Sequence, residues 1–92
     1  MEIEIKHDTK GQEFVISLQG DTAELSYARP RQDVIDFQHT FVPESFQGRG
    51  MAFKLIKHGL DYARKEGLKV VATCEAVQVY LDRNPSEKDL LL

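Results

Sequence analysis

The decapeptide Pro43-Glu44-Ser45-Phe46-Gln47-Gly48-Arg49-Gly50-Met51-Ala52 sets a Gln, two glycines and an Arg between a strand-like run, residues 34 to 42, and a helix-like run, residues 51 to 66. Glycine lets the main chain turn sharply and approach a ligand closely. The first N–H groups of the helix that follows have no partner within it, and with the helix dipole behind them they favour an anion. The chemistry this spacing suits is the grip of a phosphate-bearing ligand. Arg49, Lys54, Lys57 and Arg64, with His58 among them, cluster in or just after the turn and suit a small anion better than a polyanion.

Two further side chains are reactive by type. Cys74 follows an apolar run and precedes a helix-like one; a helix start favours a nucleophilic thiolate, and Glu75 beside it opposes one. The alternative for Cys74 is a small core residue. His39 shares its alternation with Ile35, Phe37 and Phe41, and is either a base, since imidazole titrates near neutrality, or a partly buried, hydrogen-bonded strand residue. His58 and His7 read as solvated. No pair of His, Cys, Asp or Glu has convincing metal-ligand spacing, so no metal is expected.

The elements that position these groups follow from the apolar periodicity. Ile3 and Ile5 alternate with Glu2, Glu4 and Lys6, and residues 8 to 11 supply turn chemistry. Phe14, Ile16 and Leu18 form an apolar face, Gly20-Asp21 reads as a two-residue hairpin turn, and Ala23, Leu25 and Tyr27 alternate until Pro30 ends the strand. Alternation resumes from residue 33 to 42. Successive strands with short turns imply an antiparallel sheet.

After the glycine turn the period lengthens. Ala52, Leu55, Ile56, Gly59, Leu60 and Ala63 fall on one helical face, and Gly67 sits where a helix C-terminal residue of positive φ is expected. Residues 68 to 73 read as a short strand. Ala76, Val77, Tyr80 and Leu81 form the stripe of a brief helix stopped by Asn84-Pro85, and residues 86 to 92 read as a loose tail. The predicted class is α+β, mainly antiparallel, with the order β-β-β-β-α-β-α and a ligand-binding β-α-β unit across residues 34 to 73.

At 92 residues the chain, read as one domain over residues 1 to 92, is large enough for a single core and too small for a second substrate-binding domain. A formal net charge of -3 argues against general nucleic-acid binding. One cysteine excludes an intramolecular disulfide framework. No apolar run approaches a membrane span and the N-terminus does not read as a signal peptide, so the expected compartment is the cytosol.

Phe41 to Ala52 resembles the acetyl-CoA-binding motif of the GNAT superfamily of N-acetyltransferases: Gln or Arg, two variable residues, Gly, a variable residue, then Gly or Ala. Gln47, Gly50 and Ala52 satisfy it. Val79-Tyr80-Leu81-Asp82-Arg83-Asn84-Pro85 is similar to the tyrosine-bearing helix after the superfamily's fifth strand. His39-Thr40-Phe41-Val42-Pro43, Leu60-Asp61-Tyr62-Ala63-Arg64 and Thr73-Cys74 resemble the small single-domain GNAT-like proteins, and the likeness is strongest from residue 37 to 85.

The resemblance implies acetyl-CoA as cosubstrate and an amine as acceptor, either a small molecule or a protein. It assigns main-chain groups of Phe41 and Val42 to the pantetheine arm, and Gln47, Gly48, Arg49, Gly50, Met51 and Ala52 to the pyrophosphate. Tyr80 becomes a candidate acid for the departing thiolate, against a packing role with Ala76, Val77 and Leu81. Cys74, if it reacts, takes the acetyl group as a thioester; otherwise transfer to the amine is direct. Full-length members place one or two helices between their first two strands and two strands after the tyrosine helix, and this sequence has room for neither. Half of the usual acceptor pocket is therefore missing, which implies a macromolecular acceptor or a second subunit, as in a homodimer, completing the site. Three readings follow: an N-acetyltransferase, a non-catalytic CoA-binding module, and a phosphate-binding or structural domain in which the glycines serve only the turn.

Overall fold

Strands β1 (Lys6–Asp8), β2 (Glu13–Leu18), β3 (Asp21–Arg31) and β4 (Val34–Phe41) form an antiparallel meander. A 3-10 turn (Glu44–Phe46) and helix α1 (Met51–Lys65) lead to β5 (Lys69–Ala72), which pairs with β4 in parallel. Helix α2 (Glu75–Arg83) and a 3-10 segment (Pro85–Leu90) follow. The computed structural model describes residues 3 to 92; Met1 and Glu2, the latter expected to alternate with Ile3, lie outside the described residues. The sheet order is β1-β2-β3-β4-β5, so the α+β class and the element order are as the periodicity predicts, and the two strands of the β-α-β unit are parallel neighbours. The two 3-10 segments are additions.

One face of the sheet carries Phe14, Ile16, Ala23, Leu25, Tyr27 and Phe37, all buried. Leu55, Ile56, Leu60 and Ala63 of α1, and Val77 and Leu81 of α2, pack on them in one core. Each such large side chain contributes about 1.5–3 kcal/mol on burial. Gly59 sits where α1 crosses the sheet: a Cβ there would lie 2.9 Å from the Phe37 ring and 3.1 Å from Leu25. Only a residue without a side chain allows that approach.

Several expectations are corrected. The hairpin turn is Gln19-Gly20, not Gly20-Asp21: Leu18 pairs with Asp21, and both turn residues have positive φ, 52° and 85°. Pro30 does not end β3; the strand runs through it to Arg31, with a register irregularity between Ala28 and Arg31 that accommodates a residue lacking an N–H. The C-terminal residues are docked rather than loose. Leu90 is buried, Leu91 bridges Val70 in parallel, the Leu92 N–H donates to the Val70 carbonyl at 3.0 Å, and Arg64 grips the Asp89 carboxylate at 2.8 and 2.9 Å.

His7 is also placed differently. It is half-buried, stacked on Phe14 with ring centroids 4.1 Å apart, and its Nε2 lies 2.6 Å from the Tyr27 hydroxyl. Its parity is that of Ile3 and Ile5, so it continues their inward face.

Candidate active site

Beyond its last pair with β5, Phe37↔Ala72, β4 continues to Phe41 paired with β3 only. The Cys74 N–H donates to the Phe37 carbonyl at 2.9 Å and turns the chain away into α2. The main-chain groups on the β5 side of the last part of β4 therefore have no strand partner, the arrangement expected for a segment that pairs with an extended ligand.

The glycine turn lies beyond that free end. Gly48 and Gly50 have φ of 80° and 70°, and Gly50, in the left-handed region, caps α1. Nothing lies within 4 Å of a Cβ built at either glycine, so their requirement is conformational. The first N–H of α1 to find a main-chain acceptor is that of Lys54, bonded to Gly50 O at 3.1 Å. Among the described residues, the N–H groups of Gly48, Gly50, Met51, Ala52 and Phe53 have no acceptor. No acidic side chain stands in the first turn of α1. A cleft of about 420 Å³ opens there, walled by Val42, Gln47, Gly48, Gly50, Met51 and Ala52, with Phe46, Phe53 and Arg83 completing it.

Of the residues expected to hold a cofactor, Phe41 and Arg49 are exposed and outside this wall. The basic cluster is also redrawn: Lys57 pairs with Asp61 at 3.3 Å and Arg64 with Asp89, while Arg83, expected only as part of the tyrosine-bearing segment and with no binding role, enters the cleft. Its spacing, three residues after Tyr80, was the available signal.

The candidate catalytic residues are not gathered into one constellation. A register shift between Ser26 and Tyr27 leaves Gln38 as an extra residue in β4, because Tyr27 pairs with Phe37 and Ser26 with His39. Directly opposed residues share a face, so His39 lies with Ser26 on the outer face, exposed, and not with Ile35 and Phe37 as its alternation suggested. Phe41 follows it outward, opposite Glu24. Thr40, opposite Leu25, turns inward instead.

That inward turn brings the Thr40 hydroxyl 3.2 Å from the Cys74 sulfur. Cys74 is 8% exposed and caps α2, its carbonyl accepting from the N–H groups of Val77 and Gln78. Tyr80 is buried too; its hydroxyl donates to Glu87 Oε2 at 3.0 Å and its ring meets Phe53 edge-on at 5.2 Å. Burial, and then the hydrogen bond and negative charge of Glu87, push its phenol up to about 12. Among the described residues no group of three His, Cys, Asp or Glu side chains is arranged to hold a metal, and no helix is long and apolar enough to cross a membrane.

A mixed sheet that opens between two parallel strands above a glycine turn and a bare helix start defines a GNAT-like acyltransferase fold. Residues 13 to 90 match the family model described as GCN5-related N-acetyl-transferase, and the chain belongs to that family of acetyltransferases. Protein NATD1 of Gallus gallus is 40% identical over 85 residues, covering 90% of this chain and 77% of its own length. Protein NATD1 of Homo sapiens is 39% identical over 85 residues, covering 90% and 75%. Among solved structures, the NMR solution structure of a GCN5-like candidate N-acetyltransferase from Staphylococcus aureus superposes with a TM-score of 0.70 at 29% identity, over 97% of this chain and 87% of that one.

Proposed function

We propose that this protein binds acetyl-CoA in the cleft between the end of β4 and the start of α1 and transfers the acetyl group to an amine. The observation that carries this reading is the set of N–H groups without a main-chain acceptor, those of Gly48, Gly50, Met51, Ala52 and Phe53, along one cleft wall. Such donors suit a pyrophosphate, and the unpaired edge of β4 suits the amide-bearing pantetheine arm beside it. Acetyl-CoA supplies an activated acyl thioester; holding and orienting it is the work of this chain. Residues 1 to 92 act as one domain, and the free thiol of Cys74 suits a reducing, cytosolic setting.

Cys74 is the residue best placed to act in the transfer, because it stands where β4 and β5 part and keeps a hydroxyl partner in Thr40. Tyr80, whose proton is bound tightly and directed at Glu87, is assigned a positioning role that ties α2 to the C-terminal segment. His39, on the outer face, is left without a part in the chemistry.

Calorimetric titration with acetyl-CoA, followed by a screen of amine acceptors, tests this reading. Saturable binding and acetylated product are expected. Binding without product from any amine supports a non-catalytic module instead, and the absence of binding sinks both.

A further inference from the structure

Arg83 ends α2 and lines the same cleft as the glycine turn. Its guanidinium carbon stands 5.6 Å from the centroid of the Phe53 ring. Phe53 belongs to the first turn of α1, and its own N–H is one of those without an acceptor. Among the described residues Arg83 has no carboxylate partner within 4.0 Å, although acids are near it in sequence. Asp82 is held by Lys88 at 3.1 Å, and Glu87 is shared by Tyr80 and Arg64. A strong cation is thus left uncommitted beside a row of uncommitted N–H donors.

We infer that Arg83 is a cosubstrate-binding residue whose guanidinium clamps the pyrophosphate of an acyl-CoA against the glycine turn from the opposite side of the cleft. This rests on the acetyl-CoA reading above. The planar fork of Arg presents paired donors to phosphate oxygens, and main-chain N–H groups on the other wall present theirs, so a diphosphate between them is bound from two directions. Stacking on Phe53 restricts the guanidinium before the ligand arrives, which lowers the entropy cost of binding. Its place against the first turn of α1 assigns it to the pyrophosphate rather than to the 3′-phosphate, which lies at the far side of the ribose. Tyr80 and Asn84 contribute indirectly: Asn84 Nδ2 donates to the Tyr80 carbonyl at 2.9 Å and Tyr80 to Glu87, which fixes the end of α2 that bears Arg83.

The test is titration of wild-type, R83Q and R83K protein with acetyl-CoA and with 3′-dephospho-acetyl-CoA, which keeps the pyrophosphate. R83Q is expected to weaken both ligands by the same factor, about tenfold, with R83K recovering part of the loss through its retained charge. Because Arg83 is exposed, the melting temperature of R83Q is expected to match wild type, and R83K controls for any loss of folding. Unchanged affinity in R83Q overturns the inference, as does a loss confined to acetyl-CoA, which would assign the guanidinium to the 3′-phosphate. Failure of the wild-type protein to bind acetyl-CoA overturns the cosubstrate reading itself, and this inference with it.

Discussion

The hydroxyl of Thr40 lies 3.2 Å from the sulfur of Cys74, joining the end of β4, past its last pair with β5, to the first residue ahead of α2. The contact exists because the extra residue Gln38 reverses the facing of everything after Phe37 in β4. Without that irregularity His39 would face inward and Thr40 would face solvent. The pair sets a nucleophilic thiol beside a hydrogen-bonding partner at the opening between the parallel strands.

Replacing Cys74 by Ala is expected to lower acetyl transfer by about tenfold or more while leaving acetyl-CoA affinity within about twofold. Thr40→Val, which removes one neutral hydrogen bond, is expected to lower kcat about three- to tenfold. Steady-state rates beside calorimetric affinities separate the two effects. Wild-type rates in C74A would return the cysteine to a packing role.

Gly50 and Gly67 have nearly the same φ, 70° and 69°, and neither would crowd a Cβ. Gly50→Val and Gly67→Val are therefore expected to cost similar stability, at least about 1–2 kcal/mol each in urea unfolding. Only G50V is expected to lose acetyl-CoA affinity, by about tenfold, because only Gly50 stands in the N–H row. Equal affinities in the two variants would count against the cradle.

Tyr80→Phe removes the donor to Glu87 and is expected to lower stability by about 1 kcal/mol. Its transfer rate at neutral pH is expected to stay within about threefold of wild type, since a phenol held near 12 is a weak proton donor. A far larger fall in kcat at unchanged acetyl-CoA affinity would restore the tyrosine as the acid.

His7 is held below its ordinary value of 6.5, first by burial and then by His58, with Asp8 opposing. The unfolded chain therefore binds more protons than the native one just below pH 6.5, and stability falls as the pH drops through that value until the native imidazole is itself protonated. Melting temperature is expected to decline from about pH 7.5 to about 5.5 and to decline less in His7→Phe, which keeps a ring against Phe14. Identical pH profiles would assign the decline to other groups.

Much of this molecule can be read from periodicity. The strands, the amphipathic α1 and the glycine turn all follow from alternation and from where glycines fall, because those patterns report burial on a regular backbone. The misreadings fall where the backbone is irregular. A one-residue bulge at Gln38 inverted the facing of His39 and Phe41, and no local signal marks such an insertion, since it depends on register with β3. Gln19 in the left-handed region hid the true hairpin turn, because Gly20-Asp21 fits the usual composition better. Arg83 and Glu87 were missed for another reason: their roles depend on how the ends of α2 and the C-terminal segment meet α1, a matter of tertiary distance. The inward parity of His7 was visible, but polarity outweighed it.

The docking of Leu91 and Leu92 on Val70 bears on self-association. A sheet extends by offering free main-chain groups at its margin, and the outer margin of β5 already has a neighbour at Val70. Two copies joining strand to strand must dislodge that neighbour, meet along β1, which offers only Lys6–Asp8, or use the short β5-side edge past Phe37 in β4. None of these routes gives a long continuous ladder, so a dimer of this protein is expected to form through side chains on its faces rather than by merging two sheets.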